Sequence, residues 1–421
     1  MGYVSRGVLI ALITCTSGTA TSQPLTGTLQ RCLSAEAERE ALSGSILVTE
    51  GGRPVAAVYR GKQAEASSTP IGPDTRFNLG SASKMFTAVA IGQLIEHGKL
   101  QLDEPVGQIV AGLTREASKV TIRELLTHTS GLGDFFRPEN MSAMLKARSA
   151  SDILPLIASD KPAYAPGAKF SYSNSGFALL GIVIERLSGM SYGEYLQRNV
   201  FGRAGMTRTG LHPKPLATLA VGMTAGGMQM PGHADAHLVL IGRDGKPLPI
   251  GSQAPGASGL TLIDPGGAKL GASTADAGQL RPAPGATEGY GSPAGGLFST
   301  AQDMDRFAAG LMDGKLLRPS TVAEFTSPQA ESAPATAERP ARHYGFGFGL
   351  TEDNGVAWFG HNGGTLGANA EFAVQPNHHW VISVLSNRDP PTASKVMAWT
   401  RATLADANRL STCFEPQVGS H

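Results

Sequence analysis

Phe77 to Leu100 reads FNLGSASKMFTAVAIGQLIEHGKL. A serine, two spacers and a lysine (Ser81, Ala82, Ser83, Lys84) lead an apolar run that places Met85, Val89 and Leu94 on or near one helical face. The run stops near Gly98, a common terminator. The pattern predicts a helix opening at Ser81. Positions i and i+3 share a helix face, so Ser81 and Lys84 are neighbours. A helix start also offers free backbone N–H groups and the positive end of the dipole. A serine hydroxyl is a weak nucleophile until a base takes its proton, and a partly desolvated lysine can be that base because burial disfavours the ammonium. Ser81 as a simple N-cap beside a solvated Lys84 is the plainer alternative, since the spacing arises by chance. The S-x-x-K spacing occurs once in this chain.

Working outward, GSILVTEGGRPVAAVYRG (44–61) predicts two strands around Gly51-Gly52. VTIRELLTHTSGL (120–132) carries Thr121 and Glu124, a capping box ahead of Leu125-Leu126. SNSGFALLGIVIERLSG (173–189) is a helix ending at Gly189, and SYGEYLQRNV (191–200) is another. From about Leu211 to Gly289, Gly, Pro and Ala dominate and helical periodicity is lost; the texture is that of a loop-rich insertion, with a hairpin around Asp244-Gly245. STAQDMDRFAAGLM (299–312) resumes helix, capped by Thr300 with Asp303 in its first turn. HYGFGFGL, AWFGH, NAEFAVQP and HWVISVLSN predict four strands, and a closing helix runs from about Ala393 to Leu410. Segregated strands and helices give an α+β fold: one antiparallel sheet flanked by helices, with a mainly helical part inserted. The expected division is an α/β part at 23–80 and 290–421, a helical part at 81–210 and the insertion at 211–289.

The chain has 421 residues, 41% apolar and 16% charged, with a formal net charge of +1. That supports a sizeable core and gives no electrostatic case for nucleic acid or an anionic membrane surface. Arg6, the apolar Gly7–Thr14 and the small residues through Ser22 have the layout of a secretory signal peptide at 1–22, which places the mature protein in the periplasm or medium. Cys15 weakly resembles a lipoprotein cleavage site, but the preceding Thr14 is atypical and no lipid anchor is expected. No later stretch is long and apolar enough to span a bilayer. Removing 1–22 leaves Cys32 and Cys413, near the two ends of the domain. In an oxidising compartment they make a candidate disulfide; two unpaired buried thiols are the alternative.

Two further segments could carry chemistry. In PGAKFSYSNSGFALLG (166–181), Tyr172 could shuttle a proton and Asn174 could donate to a substrate carbonyl; alternatively Asn174 or Ser175 caps the helix and Tyr172 packs. In WFGHNGGTLGANAEF (358–372), His361, Asn362, Gly363 and Gly364 sit at a strand end, where glycines allow close backbone approach; a glycine-rich hairpin turn is the alternative. HADAH (His233, Asp235, His237) puts ligand types at alternate positions, with no fourth ligand in sight, and no metal is expected. No G-x-S-x-G elbow, Walker loop or dinucleotide fingerprint appears, so no cofactor is expected.

S-x-x-K, Tyr-x-Asn and His-x-Gly, in that order, resemble the serine β-lactamase and penicillin-binding protein superfamily, in which S-x-x-K is a signature. LLTHTSGL, PGAKFSYSNSGFALLG, AGGLFSTAQDM and GHNGG look like the branch that holds class C β-lactamases, D-alanyl-D-alanine carboxypeptidases and β-lactamase-like esterases. The resemblance spans roughly Ser45 to Asn387 apart from the insertion. It implies Ser81 as the acylated nucleophile, Lys84 and Tyr172 sharing general base and acid duty, and Asn174 holding the substrate amide. It places His361, Asn362 and Gly363 where relatives carry Lys-Thr-Gly for substrate binding, and the backbone N–H groups of Ser81 and Gly364 as an oxyanion hole. Loss of the lysine and the hydroxyl departs from the pattern and shifts the expected substrate from β-lactams towards small esters or amides. A histidine in the lysine's place also implies substrate binding that switches between pH 6 and 8. The expected protein is an exported serine hydrolase on a small-molecule or peptide substrate. The alternatives are a D,D-carboxypeptidase or β-lactamase, and a non-catalytic binder of peptides or muropeptides.

Overall fold

Gly44–Glu50 (β1) and Arg53–Arg60 (β2) form the hairpin expected around Gly51 and Gly52, both of which adopt positive φ. The computed structural model describes residues 23–136, 140–225, 280–283, 286–287, 291–336, 340–406 and 410, and the backbone of strands at 237–242, 247–248 and 257–263. After residue 329 six strands follow among the described residues, not four: Ala330–Ala333 (β3), Arg342–Tyr344 (β4), Gly349–Asp353 (β5), Val356–Thr365 (β6), Ala368–Gln375 (β7) and Trp380–Ser386 (β8). HYGFGFGL breaks in two because Gly347 takes a positive φ between β4 and β5, and AWFGH continues to Thr365. All eight strands join one antiparallel sheet in the order β3-β4-β5-β6-β7-β8-β1-β2. The first hairpin therefore closes against the last strand, and the chain between β2 and β3 leaves the sheet and returns to it.

The central strands read as unbroken apolar runs because both faces of the sheet are covered. In β8, Val381 and Leu385 face the main core, while Trp380, Ile382 and Val384 face a second core on the other side. That second face is covered by Gln23–Arg39 and by Thr392–Ala405, which pack against each other. The closing helix runs over Thr392–Ala405 and breaks at the extended Asp406; Leu410, its expected end, is itself helical.

The main core is built on the helix Lys84–Glu96. Residues Lys84 to Leu94 are buried all round, so this is a core helix with no solvent stripe. Around it pack Asn174–Ser188, closed by the left-handed Gly189, and Ala301–Met312, opened by Thr300 as expected. The Thr121–Glu124 capping box is present on the helix Ile122–Leu126. In the 211–289 stretch the strand His237–Gly242 pairs with Pro247–Leu248, the hairpin expected around Asp244-Gly245, and also with Ala257–Ile263. Residues 1–22, His233, Asp235 and Cys413 lie outside the described residues.

Candidate active site

The opening stretch does not start an α-helix at Ser81. Gly80–Ser83 form a single 3₁₀ turn, and the α-helix begins at Lys84. Ser81 is therefore no N-cap, and its hydroxyl meets Lys84 instead. The solvated-lysine alternative also fails, because Lys84 is completely buried. Its Nζ reaches Ser81 Oγ at 3.3 Å, Asn174 Oδ1 at 2.7 Å and Ala294 O at 2.5 Å. It lies 4.7 Å from the Tyr172 ring centroid.

Burial is the main cause that lowers the Lys84 pKa to about 7; the Asp134 carboxylate opposes it. A neutral amine has two N–H donors and one lone pair. Asn174 Oδ1 and the Ala294 carbonyl can only accept, so they consume both donors. The lone pair is left for the remaining neighbour, the Ser81 hydroxyl. The three contacts thus allow a neutral Lys84 to turn its lone pair to the Ser81 hydroxyl.

Tyr172 and Asn174 flank this pair because Ser173 takes the capping job. Ser173 Oγ accepts from Gly176 N at 3.1 Å and donates to Gly133 O at 2.7 Å, so neither Asn174 nor Ser175 caps the helix. Asn174 Nδ2 donates to Asp134 Oδ2 at 2.7 Å, which turns its Oδ1 towards Lys84. Asp134, held up mainly by burial, is a part of the site that no motif announced. Tyr172 Oη is buried without a hydrogen bond among the described residues. Burial raises its pKa above the ordinary phenol range, and the nearby Ser81 hydroxyl pulls it only partly back. Its resting form is the neutral phenol, the form that can donate a proton.

His361, Asn362, Gly363 and Gly364 lie inside β6, paired with Phe372 to Asn369 of β7, so the hairpin-turn alternative fails. On the other edge, the pairing with β5 ends at Gly360, and beyond it β6 runs against the Ser81 turn. The approach is backbone to backbone. A Cβ on Gly363 would sit 1.9 Å from Leu79 O and 2.8 Å from Ser81 N; one on Gly80, whose φ is +49°, would sit 2.9 Å from Gly364 N. Side chains at these positions would pry the strand from the turn. The close approach brings Ser81 N and Gly364 N into one small region, the arrangement an oxyanion needs.

His361 departs from the expected pH-switching group. Its Nε2 meets Tyr344 Oη at 2.8 Å and its Nδ1 meets Asn362 O at 2.5 Å. Burial, helped by the Lys84 charge, drops its pKa to about 3. The ring stays neutral from pH 6 to 8, so the expected switch is absent. Beneath it lies His128, also fully buried and flanked by the rings of Tyr172 and Phe177 at 4.2 and 5.0 Å.

Cys32 is buried and disulfide-bonded. Among the described residues no three His, Cys, Asp or Glu side chains are placed to hold a metal, and no helix is long and apolar enough to cross a membrane. A shallow cleft lined by Arg76, Glu194, Arg208 and His212 shares no residue with the Ser81 site.

The chain is similar to several known proteins. The family model described as Beta-lactamase matches residues 29–407. Penicillin-binding protein 4 of Amycolatopsis lactamdurans is 26% identical over 325 residues, covering 75% of this chain and 72% of the relative. The Beta-lactamase of Escherichia coli (strain K12) is 31% identical over 173 residues, which is 39% of this chain and 44% of that protein. The crystal structure of a penicillin-binding protein from Bacillus halodurans superposes with a TM-score of 0.65 at 28% identity, covering 88% of this chain and 98% of that one.

Proposed function

The chain belongs to the beta-lactamase family of serine hydrolases, and we propose that it is an exported enzyme that forms an acyl-enzyme on Ser81 while cleaving an ester or amide. The observation that carries the reading is the buried Lys84 amine, 3.3 Å from Ser81 Oγ and in contact with two carbonyl oxygens; in its neutral form both donors go to those carbonyls and the lone pair faces Ser81 Oγ. With a pKa of about 7, roughly nine in ten Lys84 side chains are neutral at pH 8.

Lys84 takes the Ser81 proton as Oγ forms a bond to the acyl carbon and the carbonyl electron pair moves onto oxygen. The N–H groups of Ser81 and Gly364 hold the developing oxyanion. Collapse of the tetrahedral intermediate breaks the bond to the leaving group, which takes a proton from the neutral Tyr172 phenol; Lys84 then restores that proton. In deacylation Lys84 takes a proton from water as the water oxygen bonds to the acyl carbon, and collapse of the second tetrahedral intermediate breaks the bond to Oγ, which takes that proton back from Lys84. Asn174 keeps a second Nδ2 hydrogen for a substrate carbonyl. The neutral His361, and Asn362 in place of a hydroxyl, offer no cation to a substrate carboxylate, which favours uncharged acyl esters and amides over penicillins.

Intact mass after exposure to a serine-directed phosphonate and, separately, to a penicillin tests the reading. A phosphonate adduct alone supports an esterase or amidase. Adducts with both favour a D,D-peptidase or β-lactamase, and adducts with neither leave a binding module and overturn the reading.

A further inference from the structure

Beneath the reacting groups runs a line of hydrogen bonds whose direction the backbone fixes at both ends. The Ser173 amide can only donate, so His128 Nδ1, 3.1 Å away, accepts. A neutral His128 then carries its proton on Nε2 and presents it to Tyr344 Oη at 3.2 Å. At the far end the Asn362 carbonyl can only accept, so His361 Nδ1 donates, and its Nε2 is left bare to accept from Tyr344 Oη at 2.8 Å. Tyr344 fits once, accepting from one ring and donating to the other. Every donor and acceptor in the line is matched, and the two rings must be opposite tautomers.

We infer that Ser173, His128, Tyr344, His361 and Asn362 form one uncharged strut that holds the Gly363–Gly364 backbone in register with the Tyr172–Asn174 loop, making His128, Tyr344 and His361 positioning residues and not substrate ligands. The strut joins two segments that both touch the reaction. Ser173 sits between Tyr172 and Asn174, and Asn362 precedes the Gly363–Gly364 pair that abuts Ser81. His128 enters it from the left-handed end of the helix Ile122–Leu126, at a φ of +58°, where the Thr129 amide donates to Glu124 O at 3.0 Å.

The titratable groups facing the strut are Lys84, whose positive form disfavours charge on both rings, and Tyr172, whose ring lies 6.4 Å from His361. Phe170 and Phe177 close the remaining sides of His128. Burial depresses both histidines and lifts Tyr344, so every member stays neutral across the working range. The inference rests on the acyl-transfer reading for its effect on rate, but the strut itself is readable without turnover.

The experiment uses the full-length folded protein with ¹⁵N-labelled histidine. Wild type should show one buried ring protonated at Nε2 alone and one at Nδ1 alone, neither changing between about pH 5 and pH 9. Two rings in the same tautomer, or either ring titrating in that range, overturns the strut whether or not Ser81 is ever acylated. Tyr344→Phe cuts both central bonds. It should lower kcat for a short acyl ester by about tenfold to a hundredfold through misplaced backbone donors, with KM nearly unchanged. Phosphonate should still label Ser81, with the Lys84-controlled pH limb where it was. An unchanged kcat, or a loss confined to KM, overturns the positioning role.

Discussion

Lys84→Met separates the charge of the buried lysine from its packing. In the folded chain Lys84 has a pKa of about 7, against an ordinary 10.5. Between those values the unfolded chain binds the proton and the folded chain does not, so stability must rise with pH across that window. Below about pH 7 the full cost of forcing the charge out of water is present; it fades as pH climbs towards 10.5. Integrating the two titrations gives a cost to the wild-type fold of about 4 kcal/mol at pH 7 and about 2 kcal/mol at pH 9. Methionine fills a similar volume and does not titrate. It also leaves Asn174 Oδ1 and Ala294 O without a donor, but that loss does not depend on pH. The stability of wild type relative to Lys84→Met, from urea unfolding at both pH values, should therefore improve by about 2 kcal/mol from pH 7 to pH 9. A difference that stays flat across the window would mean Lys84 keeps an ordinary pKa, and the neutral-base argument would fall.

The Asp134 carboxylate raises the Lys84 pKa, so Asp134→Asn should move the acidic limb of kcat/KM to lower pH; a limb that stays or moves up contradicts this. Gly363→Ala would drive a Cβ into Leu79 O and Ser81 N. It should slow phosphonate labelling by about a hundredfold or more while the sheet still folds by circular dichroism. Peptide mapping without reductant should find Cys32 joined to Cys413, and reduction should cost about 2–5 kcal/mol in unfolding free energy; Cys32 recovered with any other partner refutes the pairing.

What could be read from the chain is what is local along it. The hairpin at Gly51-Gly52, the capping box at Thr121, the helix stop at Gly189 and the Ser81–Lys84 spacing each depend on residues within a turn of one another. The helix start misled because Gly80, with its positive φ, admits a 3₁₀ turn that apolar periodicity cannot distinguish from a first α-turn. The groups that set the chemistry were silent for a different reason. Ala294 meets Lys84 only through a backbone oxygen that accepts its hydrogen bond, from 210 residues away. Asp134 sits in a loop without a pattern, and His128 and Tyr344 lie in HTSGL and HYGFG, where nothing local reveals a partner. His361 was visible, but its charge state was not, because a ring is neutral or cationic according to what surrounds it, and here burial and the Lys84 charge keep it neutral against the opposing Asn362 carbonyl.

The pH dependence of phosphonate labelling, followed by mapping of the modified peptide, tests the proposed role of Ser81 and Lys84 most directly. The second-order rate constant should rise about tenfold per pH unit below about pH 7 and level off above it, with the adduct on Ser81 and none in Ser81→Ala. Labelling that persists in Ser81→Ala, or whose rate does not change between about pH 5 and pH 8, would contradict the assignment of Ser81 as nucleophile and neutral Lys84 as its base.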